Sequence, residues 1–134
     1  MADIRPFALS DATATHAVFV QAVQIGAASR YSEAERKIWL PDPAMPDDWG
    51  DWLAEHITLV ADEGDRLSGF FMLEETGYLN MAFVTPDRMG TGLADRLYDA
   101  LMDEARALAG RIALLPPHSL RHTKTLLRQG QQVS

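Results

Sequence analysis

Residues 84–94 read Val-Thr-Pro-Asp-Arg-Met-Gly-Thr-Gly-Leu-Ala and mark the point where an extended apolar run gives way to a helix. The run before this stretch, residues 78–84, is typical of a strand, which Pro86 ends because proline has no backbone N–H to donate. After it, apolar residues recur at helical spacing, which predicts a helix that stops at Gly110. These apolar residues are Leu93, Leu97, Ala100, Leu101, Ala105 and Leu108.

The turn itself predicts a site for an anion. A strand, a glycine-containing turn and a helix in succession leave the first N–H groups of the helix unpaired, and the helix dipole favours negative charge there. Gly90 and Gly92 would let a ligand approach the backbone closely. The alternative interpretation is an ordinary connection whose glycines only relieve steric strain.

Composition indicates one globular domain, over residues 1–134, because 47% of the residues are hydrophobic and 23% are charged. The formal charge of -7 argues against nucleic acid or an anionic membrane as partner, since clustered Lys and Arg bind both. No acidic residue follows Glu104, so the last quarter is basic. This basic quarter could steer a small polyanion or simply form a solvated face.

Several other classes are excluded by what the sequence lacks. With no Cys, disulfides, thiolate catalysis and Cys-based metal sites are ruled out. His118 and His122 are four residues apart but have no nearby carboxylate, so we predict no metal site. No run reaches membrane-spanning length and no secretory signal is present, so a cytoplasmic location is expected.

Hydrophobic periodicity predicts a strand and three helices in the first part of the chain. The strand covers Asp3 to Leu9, and a helix capped by Ser10 or Asp11 runs to about Ala28. A second, short helix begins with the capping box Ser32 to Glu35, and a third is capped by Asp47 or Asp48. Between them stand three prolines that form either a lid over a site or a stiff connector: Pro41, Pro43 and Pro46.

The period then changes to that of a sheet. Residues 57–61, 67–73 and 78–84 predict three strands whose short connections force antiparallel hairpins. The helix after Gly92 would lead to a fifth strand, residues 112–115, which must run parallel to the fourth. A last helix is predicted over residues 120–129.

This order of elements, with the residues of the glycine turn, resembles the GNAT N-acetyltransferase superfamily over essentially the whole chain. The resemblance implies an α/β fold with a mixed, mostly antiparallel sheet flanked by helices, here short of its last strand. The family's coenzyme motif is Gln/Arg-x-x-Gly-x-Gly/Ala, and the matching positions are Met89, Gly92 and Ala94. Met89 departs from the motif, but any non-proline residue supplies a backbone amide.

The resemblance also implies which residues bind acetyl-coenzyme A (acetyl-CoA), the expected co-substrate. Backbone amides would hold the pyrophosphate, Phe83 and Val84 would lie beside the pantetheine arm, and Ser119 falls near a coenzyme-contacting Asn of many members. The amide residues are Met89, Gly90, Thr91, Gly92, Leu93 and Ala94.

In chemical terms, the resemblance implies direct attack of a neutral amine on the thioester carbonyl. The N–H of Val84, freed where the fourth and fifth strands diverge, would stabilise the oxyanion. A base must also take the proton of the amine, and an acid must serve the leaving thiolate. His122, Tyr78 and Glu74, with its neighbour Glu75, are the candidates in this sequence.

Two of the usual proton-handling groups are replaced. Leu126 stands where the family often has a Tyr that protonates the thiolate, and Gln131 replaces an aromatic residue. Asn80 aligns with an acidic residue of similar sequences, and it can hydrogen-bond a substrate but cannot act as a base. Aromatic residues could line the acceptor pocket or belong to the core of the short helices. These are Tyr31, Trp39, Trp49 and Trp52.

Three functions compete on this sequence. The first is an N-acetyltransferase for a small-molecule or peptide amine, with no metal. The second is a non-catalytic GNAT-like module that binds coenzyme A or only dimerises. The third, a site for another phosphorylated nucleotide, lacks the Lys-Ser/Thr pair of a P-loop. We also expect a homodimer, because without a last strand the edge at residues 111–115 would be open.

Overall fold

The protein folds around a sheet of four strands with helices on both faces. A computed structural model describes residues 2–112 of the chain. The strands are β1 (Asp3–Pro6), β2 (Ile57–Asp62), β3 (Leu67–Leu73) and β4 (Leu79–Val84). The helices are α1 (Ala12–Gln21), α2 (Glu33–Trp39), α3 (Trp49–Ala54) and α4 (Leu93–Ile112). A π-helical turn, Ala22–Gly26, continues α1, and 3-10 turns cover Leu9–Asp11 and Pro86–Arg88.

The strands lie in the order β1-β2-β3-β4, and every neighbouring pair is antiparallel. The predicted hairpins between residues 57 and 84 are therefore confirmed. The register pairs Ala61 with Gly69 and Gly69 with Val84, so the end of β4 lies beside the start of β3. Irregularities at Ala61/Asp62 and Met72/Leu73 interrupt the two ladders. In the described part of the chain, no strand pairs with the other edge of β4.

β3 is the centre of the fold because all seven of its residues are buried. Successive side chains of a strand point to opposite faces, and the continuous apolar sequence of β3 supplies both faces. Phe70 and Met72 belong to the core cluster that includes residues of α1 and α3. Phe71 and Leu73 belong to the cluster under α4. β3 therefore joins two separate cores.

α4 packs on the sheet through one apolar stripe. Leu93, Leu97, Leu101 and Ala105 are buried at helical spacing. A Cβ added to Gly69 would lie 2.9 Å from Leu97 Cδ1 and 3.1 Å from the carbonyl oxygen of Phe83. The absence of a side chain at position 69 thus allows Leu97 to approach the sheet closely, which sets the distance between α4 and β3.

The helix ends agree only partly with the predicted caps. At the second helix the capping box is confirmed, because the N–H of Ser32 donates to Glu35 Oε1 at 2.9 Å and the N–H of Glu35 donates to Ser32 Oγ at 3.1 Å. Asp11 precedes α1 but makes no side-chain cap, since Arg5 and the N–H of Ala8 occupy its carboxylate. Asp48 precedes α3, also without a side-chain cap.

Four boundary predictions were wrong. α4 continues through Gly110 to Ile112, so Gly110 does not end it and Ile112 does not begin a fifth strand. The good helix formers that precede Gly110 outweigh the cost of one glycine near the end of a helix, about 1 kcal/mol relative to Ala. β1 ends at Pro6, so Leu9 lies in a 3-10 turn, and β4 begins after Tyr78. Residues 113–115 and the predicted last helix, 120–129, lie outside the described residues.

None of the helices in residues 2–112 is both long enough and apolar enough to cross a bilayer.

We predict that Gly69→Ala destabilises the fold by about 1–3 kcal/mol, because its methyl group overpacks the contact between β3 and α4. Urea unfolding followed by circular dichroism measures the loss. Leu97→Ala in the Gly69→Ala background is the control, because it removes the side chain that clashes. The two costs should therefore sum to more than the cost of the double variant, and strict additivity would contradict the proposed contact.

Candidate functional site

The junction between β4 and α4 is an open backbone turn. Gly90 and Gly92 have φ angles of +75° and +88°, which residues with side chains rarely adopt. A Cβ built at either position would meet nothing within 4 Å. The glycines are therefore required by the backbone itself, and the main chain beside them is accessible from outside.

The start of α4 presents several N–H groups that have no recorded acceptor among residues 2–112. Hydrogen bonding of the helix begins at Gly92, whose carbonyl oxygen accepts from the N–H of Arg96 at 3.1 Å. The amides of Met89 and Thr91 close turns at 3.3 Å, onto the carbonyl oxygens of Pro86 and Arg88. The remaining amides of the turn have no such partner. They belong to Gly90, Gly92, Leu93 and Ala94.

The side chains of the turn anchor it to the core. A Cβ on Gly26 would lie 3.0 Å from Met89 Cε, so Met89 packs over the π-helical turn that continues α1. The side chain of Leu93 is buried beneath α4. Phe83 stacks edge-on against Phe19, with ring centroids 5.0 Å apart. Met89, the residue that departs from the family motif, therefore has a packing role of its own.

The outer edge of β4 carries two outward N–H groups. The N–H of Thr85 donates to the carbonyl oxygen of Ser68 at 2.9 Å. In an antiparallel ladder, hydrogen-bonded pairs alternate with non-bonded pairs. This bond therefore tells which residues of β4 point their N–H groups toward β3. The N–H groups of Val84 and Ala82 must then point away from β3. Val84 was predicted to have this orientation, whereas Ala82 was missed because the ladder phase cannot be obtained without the register.

Two arginine–carboxylate pairs hold the turn that enters the site. Arg88 donates to both oxygens of Glu63, each at 2.8 Å. Arg66 donates to both oxygens of Asp87, at 3.1 and 2.7 Å. We call these four residues the turn clamp. Sequence reasoning missed it, because Glu63 and Arg88 are 25 residues apart and no local spacing relates them.

The turn clamp also changes the titration of its carboxylates. Hydrogen bonds from Arg88, helped by the Ser68 hydroxyl, lower the pKa of Glu63 to about 2. Hydrogen bonds from Arg66, helped by the Thr85 hydroxyl, hold the pKa of Asp87 well below its usual value. The two hydroxyls are buried beside these carboxylates but make no hydrogen bond of good geometry, so we attribute the shifts chiefly to the arginines.

At the other end of β4, two predicted residues are in direct contact. Asn80 Nδ2 donates to Glu74 Oε2 at 2.5 Å, across the β3–β4 hairpin. The neighbouring Glu75 instead lies 3.5 Å from His56 Nδ1. Four residues of extended chain, about 13 Å, separate Asn80 from Val84, and two residues, about 7 Å, separate it from Ala82. Glu74 is therefore remote from Val84 and closer to Ala82.

The predicted aromatic pocket divides into two groups. Tyr31 and Trp39 contact each other edge-on, with centroids 4.6 Å apart, and the side chain of Trp39 is 46% exposed. Trp49 is buried in the α1–α3 core, and Trp52 packs against it. Only Tyr31 and Trp39 thus remain candidates for contact with a substrate. Ser119, His122, Leu126 and Gln131 lie outside the described residues.

Within residues 2–112, no group of three or more His, Asp or Glu side chains could hold a metal ion.

Comparison with known proteins defines the class. The family model described as "Acetyltransferase (GNAT) domain" matches residues 27–116, more than half of the chain. The chain therefore belongs to the GNAT family of acetyltransferases, as its sequence resemblance predicted. A search of curated proteins finds no match.

Two solved structures share the fold. One is described as a GCN5-related N-acetyltransferase, "Aminotransferase, Class-II", from Rhodopseudomonas palustris; it is 29% identical, with a TM-score of 0.68 over 81% of this chain and 68% of that chain. The other is apo-form YjaB from Escherichia coli, 21% identical, with a TM-score of 0.54 over 79% of this chain and 67% of that chain. The predicted α/β fold with a largely antiparallel sheet flanked by helices is confirmed.

We predict that Glu63 stabilises the fold in a pH-dependent way. Because its pKa in the folded state is about 2, below the usual 4.5, its stabilisation is complete above about pH 4.5. It is lost as the pH falls from about 4.5 to about 2. Urea unfolding at a series of pH values should therefore show a shallower decline for Glu63→Gln than for the wild type in this window. The exposed Glu55, changed to Gln, is the control and should leave the slope unchanged.

Proposed function

We propose that the protein transfers an acetyl group from acetyl-CoA to a primary amine. The observation that carries this proposal is the set of N–H groups at Gly90, Gly92, Leu93 and Ala94, which have no acceptor in the described residues. They lie at the start of a long helix in a chain of the GNAT family, which generally uses acetyl-CoA. A helix start of this kind suits a pyrophosphate.

The residues present fit the coenzyme. Open space beside Gly90 and Gly92 leaves room for phosphate oxygens close to the backbone. Farther from the turn, along the outer edge of β4, the N–H groups of Val84 and Ala82 are available to the rest of the coenzyme. Phe83 would border the pantetheine arm. When bound, acetyl-CoA supplies an activated thioester carbonyl to this edge.

The chemistry at the edge of β4 is stabilisation of negative charge. An outward N–H can donate to the thioester carbonyl oxygen as charge develops on it, and a fixed backbone donor needs no reorganisation during the reaction. Val84 is the predicted donor, and Ala82, two residues earlier, offers a second N–H on the same edge. Which of the two is used depends on how far the pantetheine arm extends.

We assign the proton of the amine to Glu74. Asn80 donates a hydrogen bond to the Glu74 carboxylate across the β3–β4 hairpin. This bond fixes a carboxylate oxygen, which would take the proton, near the side of β4 where the amine would bind. Because Glu74 lies several ångströms from Ala82, the proton of the amine would reach Glu74 through water rather than by direct contact. Tyr31, just before α2, and Trp39, the last residue of α2, would contact apolar parts of the acceptor. A cytoplasmic location and a homodimer stay predictions from the sequence, and residues 111–112, which were expected in the open edge of a strand, belong to α4.

Calorimetric titration with acetyl-CoA tests the binding half. We expect saturable binding by the wild type and none detectable by Gly92→Trp, since a large side chain at φ +88° both strains the turn and fills the space beside it. Gly77→Ala is the control for backbone strain alone, because Gly77 has a similar φ of +92° at the β3–β4 turn. It should bind like the wild type. Retained affinity in Gly92→Trp would place the coenzyme elsewhere.

The second candidate function is a coenzyme-binding module without catalysis, and the amide Asn80 in place of an acidic residue favours it. Release of free thiol over a panel of primary amines distinguishes the two. Binding with thiol release on at least one amine supports the transferase. Binding without release on any amine supports the module, and no binding at high micromolar acetyl-CoA contradicts both.

We predict that Glu74→Gln lowers the rate of thiol release at saturating acetyl-CoA by about 100-fold, the usual contribution of a general base. Glu75→Gln, at the adjacent position, should keep the wild-type rate because Glu75 contacts His56 instead of Asn80. Equal rates for wild type and Glu74→Gln would remove Glu74 from the mechanism.

A further inference from the structure

The turn clamp connects two rigid turns that are far apart in sequence. One is the β2–β3 hairpin, closed by the N–H of Glu63 donating to the carbonyl oxygen of Arg66 at 2.9 Å. The other is the 3-10 turn Pro86–Arg88, closed by the N–H of Arg88 donating to the carbonyl oxygen of Thr85 at 2.9 Å. Each turn contributes one arginine and one carboxylate. The arginine therefore comes from the 3-10 turn in one bidentate pair and from the hairpin in the other.

The clamp lies immediately before the open amides. Arg88 is two residues from Gly90 and four from Gly92, and no regular element intervenes. Glycines in this stretch leave the backbone free to adopt other conformations, so the direction of the amides depends on what fixes each end. α4 fixes the end at Leu93, whose side chain is buried. At the other end, Met89 packs on the π-helical turn and the clamp adds the polar contact that holds the backbone of the 3-10 turn.

The charge balance of the clamp argues against a direct role in attracting phosphate. Its two arginines face two carboxylates, so it adds no net charge near the site. The guanidinium of Arg88 has both Nε and Nη2 engaged with Glu63 at 2.8 Å. Arg66 is likewise engaged with Asp87 through both terminal nitrogens. Each arginine keeps some N–H groups outside these bonds, such as those of Arg88 Nη1, but the paired carboxylates offset the positive charge that a phosphate would meet.

We propose that Glu63 is a positioning residue for the coenzyme: through its bidentate pair with Arg88, it holds the 3-10 turn so that the amides of Gly90 to Ala94 converge on one pyrophosphate. This inference rests on the proposed function. Glu63 is the more important carboxylate of the clamp, because its side chain is only 14% exposed, against 54% for Asp87. A charge-assisted pair shielded from solvent fixes geometry better than an exposed one.

The direction in which one substitution changes the affinity for coenzyme A distinguishes positioning of the turn from direct attraction of the phosphate. Glu63→Gln removes a negative charge near an anion and frees Arg88. If Arg88 were a phosphate ligand held back by Glu63, or if only long-range charge mattered, coenzyme A would bind more tightly to this variant. If Glu63 positions the turn, coenzyme A binds more weakly although the site has become more positive.

We expect Glu63→Gln to raise the Kd for coenzyme A about tenfold by calorimetry, since small misplacements of binding groups are costly. The KM for acetyl-CoA should rise in parallel, with kcat at saturation unchanged. Asp87→Asn, at the exposed pair, should have a smaller effect. The double variant Glu63→Gln with Arg88→Gln should bind no more weakly than Glu63→Gln alone, because both substitutions break the same pair.

Asp11→Asn is the matched control for general destabilisation. Asp11 also forms a bidentate pair with an arginine, Arg5, at 2.8 and 2.9 Å, but at the start of α1. Asp11→Asn should lower the thermal stability about as much as Glu63→Gln does, but leave the Kd for coenzyme A unchanged.

Each outcome bears on the inference. Weaker binding by Glu63→Gln with no further loss in the double variant supports it, and a further loss overturns it, because Arg88 would then act independently of Glu63. Unchanged or tighter binding by Glu63→Gln overturns it while leaving the proposed function intact. Equal weakening by Asp11→Asn shows a general loss of stability and also overturns it. If Glu63→Gln does not fold, Glu63→Asp decides, because it keeps the charge and shortens the side chain: weaker binding supports the positioning role and unchanged binding contradicts it. If the wild type itself does not bind coenzyme A, the proposed function fails, and this inference fails with it.

Discussion

The close contact between Leu97 and Gly69 sets how close α4 lies to β3, and the arrangement of the candidate site depends on it. A helix start is an anion site only if its N–H groups are held at a defined place relative to the neighbouring strand. Leu97 lies one turn after Leu93 and approaches β3 at the one residue without a side chain. The helix axis is thereby placed close to the sheet, and its first amides lie beyond the end of β4.

Hydrophobic packing anchors both ends of the glycine turn, and an ion pair adds a second anchor at the strand end. Leu93 anchors the helix end in the core under α4, and Met89 packs on Gly26 of the π-helical turn. Arg88 and Glu63 tie the strand end to the β2–β3 hairpin. This arrangement suits a binding turn, because the residues between the anchored ends need positive φ and contribute little packing of their own.

The binding half and the proton-transfer half of the proposed site differ in how they are built. Its binding half consists of backbone N–H groups, which any sequence with the right glycines and the right fold provides. The proton-transfer half depends on side chains, and here a carboxylate at the end of β3 is oriented by an amide on β4. Such a pair can be formed by many different positions in a family, since it needs only a hairpin that brings the two side chains together.

Local patterns in the sequence determined the element types, the antiparallel hairpins and the glycine turn, because hydrophobic period and turn chemistry act over a few residues. They were wrong at Gly110, where the surrounding helix formers outweigh a single glycine, and they left open whether Trp49 belongs to the core. Only the tertiary structure brought Glu63 to Arg88 and Glu74 to Asn80, and only the strand register showed that the N–H of Ala82 points outward like that of Val84. These features depend on strand register and chain reversal, which relate residues distant in sequence, and no local spacing encodes such contacts.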